Sequence, residues 1–513
     1  MKKVLMIVAC AAQLAGAQNE WKLERWMEVE GRYRGQKLGS SVGSLGKIGD
    51  STQFSVSDVD GVQLYRVKSP ADTTPRFFFP NGNGSLADFN GDGFKDLLIS
   101  GNPTRIYLGN SQGVFDTIPF FVKYQEPNGY AFGERVAATG RINGDACDDL
   151  IVSDAGYPNG AYYGKVYIFF GGTVMDSTPS YILNGKTALS GFGWSVAAGD
   201  LNNDSYDEII VKGYDQSGTG PHGTLRFAYI KIFKGGNAID TTSWKYIKGG
   251  DNQGRGLASI DINGDGVKDL LWTNYSVMDS MESVFVHYST NGDIDTIPNL
   301  ILPDYDAYYV QNAGDMNGDG YNDIAVSPNS VDRSGDSYVL IYSGGPKMDS
   351  RFDAAIGMGG DSNFGTLGRV VAIGDVNNDG CADILIGAPN YYWYTYQGYF
   401  GIFLGSRNIP VTSVTEKLHA PETFALLQNF PNPFNPSTTI EYMLLSHCKV
   451  TLTIYNILGQ KLETLVSEVQ EKGLHDVHFD AAGYPTGMYV YEVIVAGERG
   501  EIQAETRTML LLK

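Results

Sequence analysis

A nine-residue acidic loop recurs along this chain and constrains it more than any other feature. Its clearest copy is Asp261-Ile262-Asn263-Gly264-Asp265-Gly266-Val267-Lys268-Asp269, with oxygen-bearing side chains at alternate positions around a glycine-tightened turn. Calcium is a hard cation that takes about six to eight oxygen ligands. Asp261, Asn263, Asp265 and Asp269 would supply side-chain oxygens, and Val267 its backbone carbonyl. Gly264 and Gly266 permit the partly left-handed backbone that wraps these groups around one centre. An EF-hand opens alike, but it needs a Glu at the loop's end and flanking helices. Trp272 stands where that Glu would be, and Leu270-Leu271-Trp272-Thr273 is a short apolar run suited to a buried strand.

Complete copies stand at 88–96, 315–323 and 375–383. They offer Asp88, Asn90, Asp92, the Phe94 carbonyl and Asp96; then Asp315, Asn317, Asp319, the Tyr321 carbonyl and Asp323; then Asp375, Asn377, Asp379, the Cys381 carbonyl and Asp383. The copy at 200–208 lacks the second glycine and ends in Glu, leaving Asp200, Asn202, Asp204, Tyr206 and Glu208 as a weaker set. The copy at 141–149 carries a cation, Arg141, at the first ligand position. It is expected to be metal-free and held by an ion pair from Arg141 to Asp145 or Asp149. One such match alone is compatible with a solvated Asx turn, whereas four complete copies, each running into a β-type segment, are not.

The loops begin at 88, 141, 200, 261, 315 and 375, spacings that point to propeller blades or solenoid units. A second anchor, Asp-Ser/Thr-x-Pro and its variants, advances with them at Asp72, Asp116, Asp176, Asp240, Asp295 and Asp349. Ahead of the first loop, Leu38–Asp58 resembles Phe132–Asp154 without the acidic ligands, which makes seven repeats. Each has a small-residue or β-branched strand, the loop, an apolar strand such as Leu150-Ile151-Val152, and two further strands. Four strands make one propeller blade. The last repeat lacks a fourth strand, and the orphan Trp26–Gly31 is expected to supply it, closing the ring and removing sheet edges. The expected fold is therefore all-β: a seven-bladed β-propeller followed by a small C-terminal β-sandwich.

A formal charge of −20 argues against nucleic acid or an anionic membrane as partner. Lys2-Lys3, the apolar Val4–Ala12 and Ala15-Gly16-Ala17 read as a signal peptide cut before Gln18. No later segment has the roughly 20 apolar residues of a membrane helix. Cys147, Cys381 and Cys448 remain, an odd number without framework spacing, so disulfides are not expected to hold the fold.

Phe132-Gly133, Phe192-Gly193, Phe364-Gly365 and Gly387-Ala388-Pro389 resemble the FG-GAP repeats of integrin α-subunit propellers. That resemblance implies seven blades with calcium in loops between the first and second strands of a blade. Most repeats lack the literal Gly-Ala-Pro, which weakens transfer of integrin-like ligand binding but not of the fold. After a Pro-marked linker, Asn429–Ile440, Ile454–Gln460, Pro485–Tyr489 and the terminal Met509–Lys513 resemble the type A sorting domain of type IX secretion cargo. This implies the type IX secretion machinery as partner and passage across a Gram-negative outer membrane. The expected organisation is a signal peptide at 1–17, propeller at 18–408, linker at 409–424 and sorting domain at 425–513.

Catalytic motifs are scarce. Gly39-Ser40-Ser41-Val42-Gly43 fits the nucleophile-elbow pattern but lies in a small-residue strand rather than at a strand-to-helix turn. His222 and His287 are the only histidines in the repeats. Aromatic residues are more informative. Tyr391, Tyr392, Trp393, Tyr394 and Tyr396, with Tyr305 and Tyr308, are expected on the face opposite the calcium loops, as are Tyr157, Tyr162 and Tyr163. Aromatic rings give large contact area with little entropy to lose, and they stack on sugars as readily as they pack between blades. The expected function is a secreted or surface calcium-binding adhesion module whose ligand is an unidentified extracellular protein or glycan. The alternative is a polysaccharide-active hydrolase or lyase on the same scaffold.

Overall fold

The structure is a computed structural model. It describes residues 23–512 apart from 24, 33–35, 49–50, 81, 83, 139, 221–222, 252–254, 277–280, 291, 305–306, 329–337, 358–368, 390–397, 410–423, 427–428, 430–431, 433, 445–446, 458, 472 and 497–501. The expected signal peptide and six of the seven aromatic residues of the expected ligand face, Tyr305, Tyr391, Tyr392, Trp393, Tyr394 and Tyr396, lie outside these. Among the described residues, all regular structure is strand. The chain divides into two compact units, the larger drawn from residues up to 412 and the smaller chiefly from residues after 413.

The larger unit contains seven four-stranded sheets. The first comprises Ser41–Ile48, Ser51–Ser57, Gly61–Val67 and Phe77–Pro80; the second Gly84–Ala87, Asp96–Ile99, Thr104–Tyr107 and Phe121–Lys123. The third comprises Phe132–Ala138, Leu150–Asp154, Lys165–Phe169 and Tyr181–Asn184; the fourth Ser195–Gly199, Glu208–Gly220, Gly223–Phe233 and Lys245–Asp251. The fifth runs through Leu257–Ile260, Asp269–Ser276, Met281–His287 and Leu300–Asp304, and the sixth through Ala307–Gly314, Asp323–Pro328, Tyr338–Tyr342 and Ala354–Gly357. The seventh takes Arg369–Gly374, Asp383–Ala388 and Tyr399–Phe403 from the end of the repeats and its outer strand, Arg25–Glu30, from the beginning. That strand pairs antiparallel with Tyr399–Phe403, as Val29 opposite Phe400 shows. Successive first strands contact one another, and that of the seventh sheet contacts that of the first, so the series closes on itself.

Each second strand is apolar on both faces because a neighbouring sheet covers each. Leu150 and Val152 pack with Leu98 and Ile106 of the second sheet, while Ile151 between them packs with Ile209 and Val211 of the fourth. Alternate side chains of a strand point to opposite faces, so one unbroken apolar run serves two cores. The fully buried runs Ile209–Val211, Leu270–Trp272 and Ile384–Ile386 repeat this pattern.

In the smaller unit, strands Phe424–Leu426, Ser437–Leu444 and Gly473–Asp480 form one sheet, and Lys461–Gln470, Cys448–Asn456, Gly487–Ala496 and Ile502–Leu511 another. Ile440, Tyr442 and Phe479 of the first share one core with Leu452, Ile454, Tyr491 and Val493 of the second. The chain's end is part of that core: Met509 and Leu511 are buried, and Phe434 exchanges backbone hydrogen bonds with Leu510 and Leu512.

Candidate functional site

Six of the seven sheets carry an acidic loop between their first and second strands. In the loop at 315–323, the Asp319 amide donates to Asp315 Oδ1 (3.0 Å) and Asn317 Oδ1 (2.9 Å), and the Gly320 amide to Asp315 Oδ2 (2.9 Å). The Tyr321 amide donates to Asp319 Oδ1 (3.0 Å). The loops at 88–96 and 375–383 reproduce all four bonds, with Asp88, Asn90 and Asp92, and Asp375, Asn377 and Asp379, as acceptors. In the loop at 261–269, Asp261 accepts from Gly264 and Gly266 while Asn263 and Asp265 accept as elsewhere. In three of these loops the position-five amide draws the side-chain oxygens of positions one and three to one point, and in all four the position-three Asn Nδ2 donates to the position-five carboxylate.

The ninth residue behaves differently. Asp96, Asp269, Asp323 and Asp383 open the second strands and are fully buried. Asp323 accepts from Met316 N (2.8 Å) with one oxygen and Gly344 N (2.9 Å) with the other, tying the loop to the residue just beyond the third strand. Burial pushes Asp269 and Asp323 up to about 7, and Asp96 and Asp383 up to about 6, and the loop's two other aspartates add to each shift. Negative charge is thus concentrated without a neutralising side chain in the ligand set.

Both altered copies differ in an interpretable way. In 200–208, Asn203 (φ 59°) and Ser205 (φ 73°) take the left-handed conformations held in the complete loops by residues such as Gly318 (φ 72°), Asn378 (φ 62°) and Gly320 (φ 93°). The bonds to Asp200, Asn202 and Asp204 are therefore retained. Glu208 is fully buried, accepts from Leu201 N and Asn202 Nδ2, and is pushed by burial up to about 8. In 141–149 only Gly144 is left-handed, and the Gly144 amide turns to the Arg141 carbonyl. The expected ion pair does not form: among the described residues no salt bridge joins Arg141 to Asp145 or Asp149. Arg141 is exposed, whereas Asp149 is turned inward to Ile142 N and Gly171 N and Asp145 serves Cys147 N and Asn143 Nδ2.

Four oxygen-bearing side chains and a peptide carbonyl per loop, with surplus negative charge, suit a hard divalent cation. Among the described residues, no three Asp, Glu, His or Cys side chains converge on one point. The buried ninth carboxylate accepts from two backbone amides, one on each oxygen.

The loops are also laced together, which sequence reasoning missed. Asp148 Oδ2, from the third sheet's loop, accepts from Asp88 N (2.7 Å), and Asp207 Oδ2 accepts from Arg141 N (2.8 Å). Further round, Lys268 N reaches the Asp200 carbonyl, Asn322 Nδ2 the Asp261 carbonyl and Ala382 N the Asp315 carbonyl. The series ends at the seventh sheet, where Lys47 of the loopless first sheet donates to the Asp375 carbonyl (3.1 Å) and Asn378 Oδ1 (2.5 Å). The eighth position of the loops varies among Lys, Asp, Asn and Ala, and its bond to the first residue of the preceding loop uses a backbone atom on at least one side, so no motif signals these bonds.

Of the expected ligand-face residues, Tyr308 is described. It lies at the start of a first strand whose other end enters the loop at Asp315, and so at the sheet end remote from that loop. Its ring meets Tyr309 edge-on at 4.8 Å. At the corresponding end of the third sheet, Tyr162 meets Tyr130 edge-on and Lys165 Nζ lies 3.6 Å from the Tyr157 ring centre.

Family models match three parts of the chain: the FG-GAP repeat at 192–221 and 367–403, an FG-GAP-like repeat at 261–326, and the secretion system C-terminal sorting domain at 428–501. The chain thus carries FG-GAP repeats and a secretion system sorting domain. It is similar to integrin alpha-5 of Xenopus laevis (24% identical over 55% of this chain and 27% of the relative) and to integrin alpha-IIb of Mus musculus (31% over 27% and 15%). It is also similar to phosphatidylinositol-glycan-specific phospholipase D of Rattus norvegicus (28% over 29% and 20%). The FG-GAP chain thus spans about a quarter or less of the length of these relatives. The sorting domain marks it as a secreted or cell-surface protein. No helix among the described residues is long and apolar enough to cross a membrane.

Proposed function

We propose that the protein is a calcium-stabilised, seven-bladed propeller that acts outside a Gram-negative cell as an adhesion or ligand-binding module, delivered there by its C-terminal domain. Residues 18–408 would be the propeller, 409–424 a linker and 425–513 a sorting domain of β-sandwich form, with 1–17 a signal peptide. The observation that carries this reading is the recurrence of one hydrogen-bonded acidic loop, at the same connection, in sheet after sheet of a closed series. Calcium would be held by Asp88, Asn90, Asp92, the Phe94 carbonyl and Asp96 and by the corresponding groups of the loops at 261, 315 and 375. The loop at 200 would bind more weakly through Asp200, Asn202, Asp204, the Tyr206 carbonyl and Glu208. Bound calcium would neutralise the clustered carboxylates and pin the first and second strands of each blade.

A protein and glycan array with the full chain in millimolar calcium, scored for turnover as well as retention, tests the module reading. Calcium-dependent retention without turnover supports it; product release from a glycan would establish the hydrolase or lyase alternative instead.

A further inference from the structure

We propose that the ends of the fourth, fifth and sixth sheets remote from the acidic loops form a binding site for a carboxylate-bearing sugar, with Arg255 as the group that receives the carboxylate. This rests on the ligand-binding reading above and specifies its ligand class. Trp194 directly precedes the first strand of the fourth sheet, Arg255 lies two residues before that of the fifth, and Tyr308 is the second residue of that of the sixth. Because each first strand runs from this end towards its loop, three successive sheets bring these side chains together.

The arginine is held in place by its backbone. Its amide donates to the Tyr308 carbonyl (2.9 Å), and its carbonyl accepts from Ser195 Oγ (3.1 Å), so it is tied to the sheets on both sides. Its guanidinium carbon lies 5.0 Å from the Trp194 ring centre and 5.8 Å from that of Tyr308. Trp194 in turn packs on Tyr214 at 5.4 Å, which extends the aromatic surface. Among the described residues the guanidinium has no ion pair, and its Nε and the Trp194 Nε1 are buried donors without an acceptor. Nearby, the fully buried Lys212 donates from Nζ to the Thr273 carbonyl (2.7 Å).

A guanidinium offers a planar fork that matches a carboxylate with two parallel hydrogen bonds. Flanking rings present flat apolar faces of the kind that stack on a sugar ring, and they lose little entropy when they do so. Cation, rings and unsatisfied donors together favour an acidic sugar over a neutral one, for which the charge would be idle. They also favour it over an acidic peptide, for which the rings would be idle.

The test measures tryptophan fluorescence and calorimetric binding of the full chain with an oligogalacturonate, its fully methyl-esterified form and a poly-glutamate of similar length. The expected result is binding of the oligogalacturonate at least about tenfold tighter than of the ester, a further loss in Arg255→Gln, and only partial recovery in Arg255→Lys, which keeps charge but not the fork. An unchanged melting temperature in Arg255→Gln separates loss of a ligand contact from loss of fold. Equal binding of acid and ester, wild-type affinity in Arg255→Gln, tighter binding of poly-glutamate or no binding of any probe would each overturn the proposal. Array ligands that bind Arg255→Gln as well as wild type would leave the broader module reading standing while removing this one.

Discussion

Ser205 occupies a left-handed conformation (φ 73°) at a position where the complete loops have glycine. A side chain there costs roughly 1–2 kcal/mol, partly offset because glycine has more freedom to lose on folding. Ser205→Gly should therefore raise stability by about 0.5–1 kcal/mol in a denaturant titration; a destabilised variant would show that the serine makes an unrecognised contact. The buried ninth carboxylates make a second prediction. In the unfolded chain they titrate near 4, whereas in the folded chain they keep their protons to about 6 or 7, and Glu208 to about 8. The folded, calcium-free chain thus binds more protons over that interval, and its stability should fall as pH rises from about 4 through about 7. In EDTA the melting temperature should be higher at pH 5.5 than at pH 7.5. In calcium the difference should shrink or reverse, because the ion requires ionised ligands. The same slope with and without calcium would mean that general charge repulsion, not the loops, sets it.

The lacing between loops is a property of elements. Asp148 accepts the Asp88 amide and pairs with Lys95 (3.2 Å), joining the second and third sheets at their loop ends. Asp148→Ala should cost about 1 kcal/mol through the amide left without its partner, and should weaken the calcium response of the intact 88–96 loop, which it does not itself ligate. A response equal to wild type would show that the loops act independently. The loops and the strands after them were legible in the sequence because their signals are local: ligands at alternate positions, and apolar runs such as Leu270-Leu271-Trp272. The exchange of the N-terminal strand was legible because the last repeat was one strand short. What could not be read were contacts between residues one repeat apart. Trp194, Arg255 and Tyr308 are single residues with no shared motif, and Lys47 reaches Asp375 only because the series closes. Arg141 was misjudged for a related reason, since its position in the loop did not reveal that Asp149 faces inward to backbone amides.

At the scale of the molecule, closure depends on Arg25–Glu30, whose Met27 is buried with Phe54, Leu385 and Phe400. Met27→Ala should cost about 2–4 kcal/mol. Deleting residues 25–30 should also expose the edge of Tyr399–Phe403 and promote aggregation, visible by light scattering. The terminal strand bears on export. Met509 and Leu511 belong to the core of the smaller unit, so removing 509–513 would unfold that unit as well as erase a recognition signal. The most direct measurement of the central claim is a pair of melting curves of the full chain at neutral pH, one in millimolar calcium and one in EDTA, with the metal content of the calcium form counted. Each occupied loop should contribute on the order of 1 kcal/mol. The account predicts a higher melting temperature in calcium, a smaller shift in Asp265→Ala, and about four or five calcium ions per chain, the loop at Arg141 staying empty. Superimposable curves, or six or more ions, would contradict it.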